Sequence, residues 1–297
     1  MPVFARVHMP SLGGATGWLN SEPLGPAELR GRVVLVNFWT LTCINWLRQE
    51  PYVRAWWQAY RDDGLIVIGV HTPEFAFEHE IDRVRQATKE RAIDYPVALD
   101  NDYAVWSAFA NHFWPALYFV DRDGGIRDQH FGERRYERSE GVIQRLLGIE
   151  RELVSVEGVG VEAEADWDHL NSGETYLGSA RGRHLGADRW SFTGEWKTRP
   201  EHIVLEQAAG SIDCRFHARD AHLVLSSSAA EPIAFRVLLD GEAPGPSHGV
   251  DTDEDGNGVL KDGRLYQLVR AHDTVRERRL EITFLEPGAE AYAFTFG

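Results

Sequence analysis

The stretch from Val33 to Pro51, VVLVNFWTLTCINWLRQEP, decides how the first half of the chain folds. Val33 to Phe38 is an apolar run dominated by β-branched residues, which predicts a buried strand. The run breaks at Thr40–Thr42 and delivers one cysteine, Cys43. A helical pattern starts there, with Ile44, Leu47, Pro51 and Trp56 at core-facing intervals. Strand, short turn, cysteine and helix together place a sulfur at a helix N-terminus. The N–H groups and the positive end of the helix dipole at such a position favour the thiolate.

Outward from this stretch, strands and helices alternate. Residues 1–32 read as an extended lead-in with a short helical piece around Ala27–Leu29. Ile66–Val70 is a second buried strand, HTPEF leaves it, and a charged amphipathic helix is predicted from Phe75 to Arg91. Tyr95–Leu99, Ala116–Val120 and Ile126–His130 read as strands, with Asp121–Gly125 (DRDGG) as a hairpin turn. Tyr103–Ala110 and Ser139–Leu147 read as helices. This order predicts an α/β unit over residues 1–148, with helices on both faces of a sheet that the hairpin makes mixed.

Residues 149–165, rich in Gly, Val and Glu, read as a linker. Helical periodicity then disappears. His202–Gln207, Ile212–Ala218, His222–Ser227, Ile233–Leu239, Arg264–Arg270, Arg279–Leu285 and Tyr292–Phe296 alternate or run apolar, punctuated by Gly, Pro, Asp and Ser. Residues 166–297 are therefore expected to form an all-β antiparallel, jelly-roll-like sandwich.

Composition narrows the function classes. The chain has 297 residues, 43% apolar, and no apolar run of about 18 residues that would span a membrane. The formal charge of −15 is uneven: 16 basic against 19 acidic residues up to Gly148 give −3, and the remaining 15 against 27 give −12. Such a balance argues against binding nucleic acid or anionic membrane by bulk charge. Two cysteines exclude a disulfide scaffold and a cysteine-built zinc site. The histidines of the second half, from His169 through His184 to His272, form no zinc-spaced cluster. MPVFARVHMPSLGG lacks the apolar core of a secretory signal, so the expected location is cytoplasmic.

Three sequence words, VNFWTLTCIN, the helix proline Pro51, and WPALYFVD, resemble the thioredoxin superfamily, most closely its TlpA/DipZ-type thioredoxin-like proteins. GETYLGSARG and HGVDTDEDGNGVLKDGRLYQLVR resemble the C-terminal β-domain of DipZ-type proteins, which looks like a carbohydrate-binding module. Relatives of this type often act outside the cytoplasm. The resemblance implies a thioredoxin fold and thiol–disulfide oxidoreductase chemistry, with no cofactor. Its partners would be a disulfide- or thiol-bearing protein or peptide, or a thioredoxin- or glutathione-type reductant. A carbohydrate or protein ligand would suit the sandwich. The family carries Cys-x-x-Cys, whereas this chain reads Cys43-Ile44-Asn45-Trp46, which removes the sulfur that resolves a mixed disulfide. The resemblance also implies a cis bond at Trp114–Pro115 beside the cysteine, with the Trp114 backbone pairing an extended substrate. Asn37 stands where many thioredoxins carry a titrating aspartate. Glu74 resembles a glutamate placed near the cysteine pair, where it would exchange protons with Cys43; a glutamate that merely favours a helix N-terminus fits the same position.

Two readings of Cys43 stand side by side: a single reactive thiol, or an inert relic in a binding protein. Trp39, Trp46, Trp114 and Phe75 are expected to crowd one surface around the sulfur that suits a peptide or other apolar ligand, with Trp39, Trp46, Trp114 and Pro115 as the substrate-binding residues. Core packing is the alternative for each ring. Cys214 alternates with Ile212 and Phe216 and should face the sandwich core. A third reading, a one-cysteine peroxidase, rests on Thr40-x-x-Cys43, although the proline such a site carries seven residues before the cysteine is Val36 here. Asp251, Asp253, Asp255, Gly256 and Asp262 fit the spacing of a twelve-residue calcium loop, but no helices flank it. Trp167, Tyr176, Trp190, Trp196, Tyr266 and Tyr292 would supply a sugar-stacking platform or sandwich core.

Overall fold

The structure, a computed structural model, describes residues 7–181 and 190–297; residues 1–6 of the lead-in, and His184, lie outside them. The chain divides into two compact units, Met1–Gly158 and Val159–Gly297.

The first unit is built on six strands: β1 (Gly17–Leu19), β2 (Val33–Trp39), β3 (Leu65–His71), β4 (Val97–Leu99), β5 (Ala116–Val120) and β6 (Ile126–Phe131). They lie in the order β1-β4-β3-β2-β5-β6. The β2–β3 and β3–β4 pairs are parallel, and the others antiparallel, giving the mixed sheet. All seven residues of β2 are buried because both faces of this central strand are covered. Val34, Val36 and Phe38 join one apolar cluster with Leu12, Leu29, Val105 and Phe109. That face carries α1 (Pro26–Leu29) and α4 (Ala104–Ala108). Asn37 and Trp39, on the other face, meet α2 (Ile44–Tyr60).

The stretch expected as one helix from Phe75 to Arg91 is instead a 3-10 turn, Ala76–His79, followed by α3 (Ile81–Glu90). The cause is Glu78, whose buried carboxylate turns back to accept the N–H groups of Glu74 and Phe75. The last helix, α5 (Tyr136–Leu147), closes on Gly148, whose φ of +75° suits a residue without a side chain. The chain beyond it stays tied to the first unit. Gln144 exchanges hydrogen bonds with the Arg151 backbone, and Glu140 accepts the Val154 N–H at 2.9 Å.

The second unit holds β7 (Thr175–Tyr176), β8 (Trp190–Thr193), β9 (Trp196–Thr198), β10 (Ile203–Leu205), β11 (Gly210–His217), β12 (Asp220–Ser227), β13 (Ile233–Leu239), β14 (Asn257–Leu260), β15 (Arg264–Arg270), β16 (Glu277–Phe284) and β17 (Ala289–Phe296). One sheet runs β15-β12-β17-β10-β9, with β7 also on β17, and the other runs β14-β13-β16-β11-β8. Every pairing is antiparallel. Inward-facing residues of both sheets, among them Ile212, Cys214, Phe216, Leu223, Ile282 and Phe294, share one core. This is the alternation that a sandwich requires.

Candidate active site

β2 ends at Trp39 and α2 starts at Ile44, so the four residues between them set the site. The turn closes when the Cys43 N–H reaches the Thr40 carbonyl at 3.4 Å. Cys43 is the N-cap of α2, extended at φ −74° and ψ 108°, and its carbonyl accepts the first helical bond, from the Leu47 N–H at 3.0 Å. Its thiol is half-buried. The helix behind it is seventeen residues long. The end of its macrodipole therefore acts on the sulfur, in the sense that favours the thiolate.

Trp46 turns away from solvent. Its side chain is 0% exposed, and its ring stacks on Trp39 with centroids 4.2 Å apart and planes 17° apart. Its indole N–H donates to Asn37 Oδ1 at 3.1 Å. Asn37 in turn donates to Gln49 Oε1 at 2.9 Å, and Gln49 donates to the Gly132 carbonyl at 3.0 Å. A chain of amides thus locks the indole beneath the sheet–helix interface, with every link a good donor–acceptor pair. Asn37, which cannot titrate, acts here as the acceptor for the Trp46 indole.

Trp39 and Phe75 are also buried, at 0% and 2%. Of the aromatic residues expected on a surface around the sulfur, only Trp114 is half-buried; Trp39 and Trp46 are core. The physical reason is the T-shaped contact of Trp39 with the buried His71, at 4.7 Å, together with the stack on Trp46. Burial pushes the His71 pKa down to about 3, so this ring is neutral.

The Trp114–Pro115 bond is cis. The register pairs Phe38 with Ala116, which sets Pro115 across from the end of β2, where the chain leaves toward Cys43. The Trp114 indole N–H donates to the Thr72 carbonyl at 3.1 Å, and the Thr72 N–H donates to the Trp39 carbonyl at 3.0 Å. Segment 72–75 therefore ties the end of β2 to the cis-proline loop.

Glu74 lies on that segment, with its N–H directed to Thr40 Oγ1 at 3.3 Å and to Glu78 Oε2 at 2.6 Å. Sequence reasoning missed Glu78. This carboxylate is fully buried, and its Oε1 accepts the N–H and the hydroxyl of Thr42 at 3.1 and 2.9 Å. Burial, then the negative charge of Glu74, pushes its pKa up to about 7, against the pull of hydrogen bonds from Thr40, Phe75 and Glu74. One signal for it was present in the sequence. That signal is a glutamate four residues after Glu74, just ahead of the apolar pattern that opens with Ile81 and Val84, although the same spacing also fits a solvated helix face.

In the second unit Cys214 is buried with Ile212 and Phe216, as the alternation requires. The loop with calcium-like spacing spends its carboxylates on protein groups. Asp251 pairs with Arg264 at 2.6 Å and accepts the Gln267 N–H, while Asp253 accepts the backbone and side chain of Asn257. Among the described residues no group of three or more His, Cys, Asp or Glu converges to hold a metal. Tyr266 and Tyr292 are buried, and Trp190 and Trp196 pack against the core, so these four form no open stacking platform. Among the described residues no helix is long and apolar enough to cross a membrane.

Comparison with known proteins follows this division. Residues 19–129 match the AhpC/TSA family, and residues 173–297 match the family described as thioredoxin like C-terminal domain. Protein DipZ of Mycobacterium tuberculosis is 32% identical over 97% of this chain. The chain spans only 42% of that relative's length. Thiol-disulfide oxidoreductase YkuV of Bacillus subtilis is 29% identical over 48% of this chain and 95% of its own. Among solved structures, a thioredoxin-like protein in the oxidized form is 30% identical and covers 49% of this chain and 98% of its own, with a TM-score of 0.45. The chain thus belongs to the thioredoxin-like thiol–disulfide oxidoreductase family, with its α/β unit followed by an antiparallel β-sandwich and with DipZ and YkuV among its homologues.

Proposed function

We propose that this chain handles disulfides through a single thiol, Cys43, and is impaired in dithiol turnover. The observation that supports this most is the contrast at the start of α2. Cys43 is half-buried at the N-cap, while Trp46, in the place of a second cysteine, is 0% exposed and hydrogen-bonded inward to Asn37. The thiolate of Cys43 attacks one sulfur of a partner disulfide. A Cys43–partner disulfide forms, the partner's sulfur–sulfur bond breaks, and the other sulfur leaves as a thiolate. Trp46 supplies no sulfur to displace the partner. Release then needs an outside thiol, from a thioredoxin- or glutathione-type reductant or from a second thiol on the partner.

Glu74 is the proposed proton partner of Cys43, and the Trp114–Pro115 loop the proposed seat for an extended peptide. Trp39, with Trp46 stacked on it, is linked to this seat through Thr72, whose N–H reaches the Trp39 carbonyl and whose carbonyl holds the Trp114 indole. The runner-up is a redox-silent module that holds peptide at the same loop. The peroxidase reading is not favoured, because the Thr40 hydroxyl is buried and accepts the Glu74 N–H.

The test is Cys43 alkylation by iodoacetamide against pH, in a Cys214→Ala background, followed by reaction with an aromatic disulfide such as Ellman's reagent. The expected result is an apparent thiol pKa below the ordinary ~8.5 and a mixed disulfide that persists until external thiol is added. No alkylation at any pH would sink the reading in favour of the redox-silent module.

A further inference from the structure

Outside the reacting sulfur, the most constrained group near the site is a carboxylate that no redox step uses. Glu78 is wholly buried on the 3-10 turn that follows Glu74, and it reaches across to the turn before Cys43. Its Oε1 accepts the Thr42 N–H at 3.1 Å and the Thr42 hydroxyl at 2.9 Å; its Oε2 accepts the N–H groups of Glu74 and Phe75 at 2.6 and 2.9 Å. With these four donors, and the Thr40 hydroxyl bonding to it as well, the buried carboxylate is fully engaged, and charge-assisted bonds of this kind are the strong ones. Two segments far apart in sequence are joined by this one side chain: the loop that presents the thiol, and the loop whose Thr72 carbonyl holds the Trp114 indole.

We propose that Glu78 is a positioning residue for Cys43, acting through Thr42 to fix where the sulfur sits at the head of α2. This rests on the reading of Cys43 as the attacking thiol. Three of the four donors are backbone N–H groups, which can only donate. The fourth, the Thr42 hydroxyl, can reverse, as can the Thr40 hydroxyl that also bonds to this carboxylate. A proton arriving on Oε1 is accommodated by the Thr42 hydroxyl turning from donor to acceptor, while the backbone bonds stay. The charge on Glu78 therefore acts on the residue that directly precedes the sulfur. The charged group that acts on it is Glu74, just before its own turn. Glutamine cannot replace it cleanly, because an amide nitrogen would face N–H donors that need an oxygen.

The experiment compares Cys43 alkylation profiles from pH 5 to 10 in the full chain, all in the Cys214→Ala background. The variants are Glu78→Gln, Thr42→Val and Thr42→Ser, each checked for folding by circular dichroism. The expected result is a rate lowered about tenfold, with a displaced apparent thiol pKa, in Glu78→Gln and in Thr42→Val. Thr42→Ser, which keeps the hydroxyl, should match the parent. If Glu78→Gln fails to fold, the Thr42→Val and Thr42→Ser pair still decides. A parent that alkylates normally, with Thr42→Val unchanged in rate and profile, overturns the role of Glu78 and leaves the Cys43 reading intact. A parent that never alkylates overturns both.

Discussion

Along β11 of the sandwich, Ile212, Cys214 and Phe216 go inward, while Asp213 turns outward and pairs with Arg279. Along α2 the arrangement is different: Arg48, Gln49 and Glu50 are buried in succession, beside Trp46 and Leu47. Each has something to meet. Arg48 pairs with Glu133 at 3.1 Å, with both side chains nearly inaccessible; Gln49 bridges Asn37 and the Gly132 carbonyl; Glu50 faces Arg54 at 3.6 Å. Polar groups are costly to bury and gain little net stability even when paired. A strand that simply fills a core, such as β11, keeps its charges outside. A helix that presents a thiol holds its position through partners specific in direction, and directional partners are polar.

The contrast between α2 and β11 is greatest at Trp46 and Cys214. Trp46→Ala should destabilise the first unit by about 3–5 kcal/mol, since it removes a stacked indole and leaves Asn37 Oδ1 without its donor. Cys214→Ala should cost the second unit about 1 kcal/mol, because it removes one sulfur from an apolar wall. Hydrogen exchange measured under mild denaturant reads both units in one sample. Equal losses at the two sites would mean that the amide chain under Trp46 adds nothing to ordinary packing.

A smaller effect, with a sign, belongs to Glu78. Its folded pKa of about 7 lies above the ordinary 4.5. Between those values the unfolded chain has released a proton that the folded chain retains. Stability therefore falls as pH rises from about 4.5 to about 7, and is flat above that. The loss should be on the order of 1–3 kcal/mol in the first unit. It should vanish in Glu78→Gln, whatever that variant's absolute stability. Urea midpoints at pH 5 and pH 7.5, with the slope between them unchanged by the substitution, would remove Glu78 as the source.

What the sequence disclosed follows the same division. β2, β5 and the alternating strands of the sandwich were legible because burial imposes a period that survives without neighbours. The cysteine at the head of a helix was legible for the same reason. β1, β7, β9 and β14, two to four residues each, were not, because their pairing is set by the strand beside them. Spacing puts Trp46 one turn after Cys43, among the rings expected on a surface around the sulfur. Its direction depends on Asn37, nine positions earlier on another element, and periodicity does not encode that partner. Glu78 reads as the polar face of a helix until Thr42 is seen against it.

The smallest effect is expected at the loop with calcium-like spacing, where sequence and structure diverge most. Spacing alone gives Asp251, Asp253, Asp255 and Asp262 the look of a ligand set. The fold places Arg264 on Asp251 at 2.6 Å and the Gln267 N–H on its other oxygen, so the first ligand in the pattern already has a cation. Asp253 is committed to Asn257, at the start of β14. A calcium ion would have to displace a guanidinium and open a strand end. A site with a Kd of about 1 mM would add about 1.4 kcal/mol at roughly 10 mM calcium. The expected change in exchange protection across β13–β15 at that concentration is below about 0.3 kcal/mol. Arg264→Ala sharpens the result, since it releases Asp251 and is the background in which calcium protection should emerge if the spacing has any ligand character. Protection in the unmodified chain would instead mean that Arg264 yields to the ion and that the spacing, not the ion pair, describes the loop.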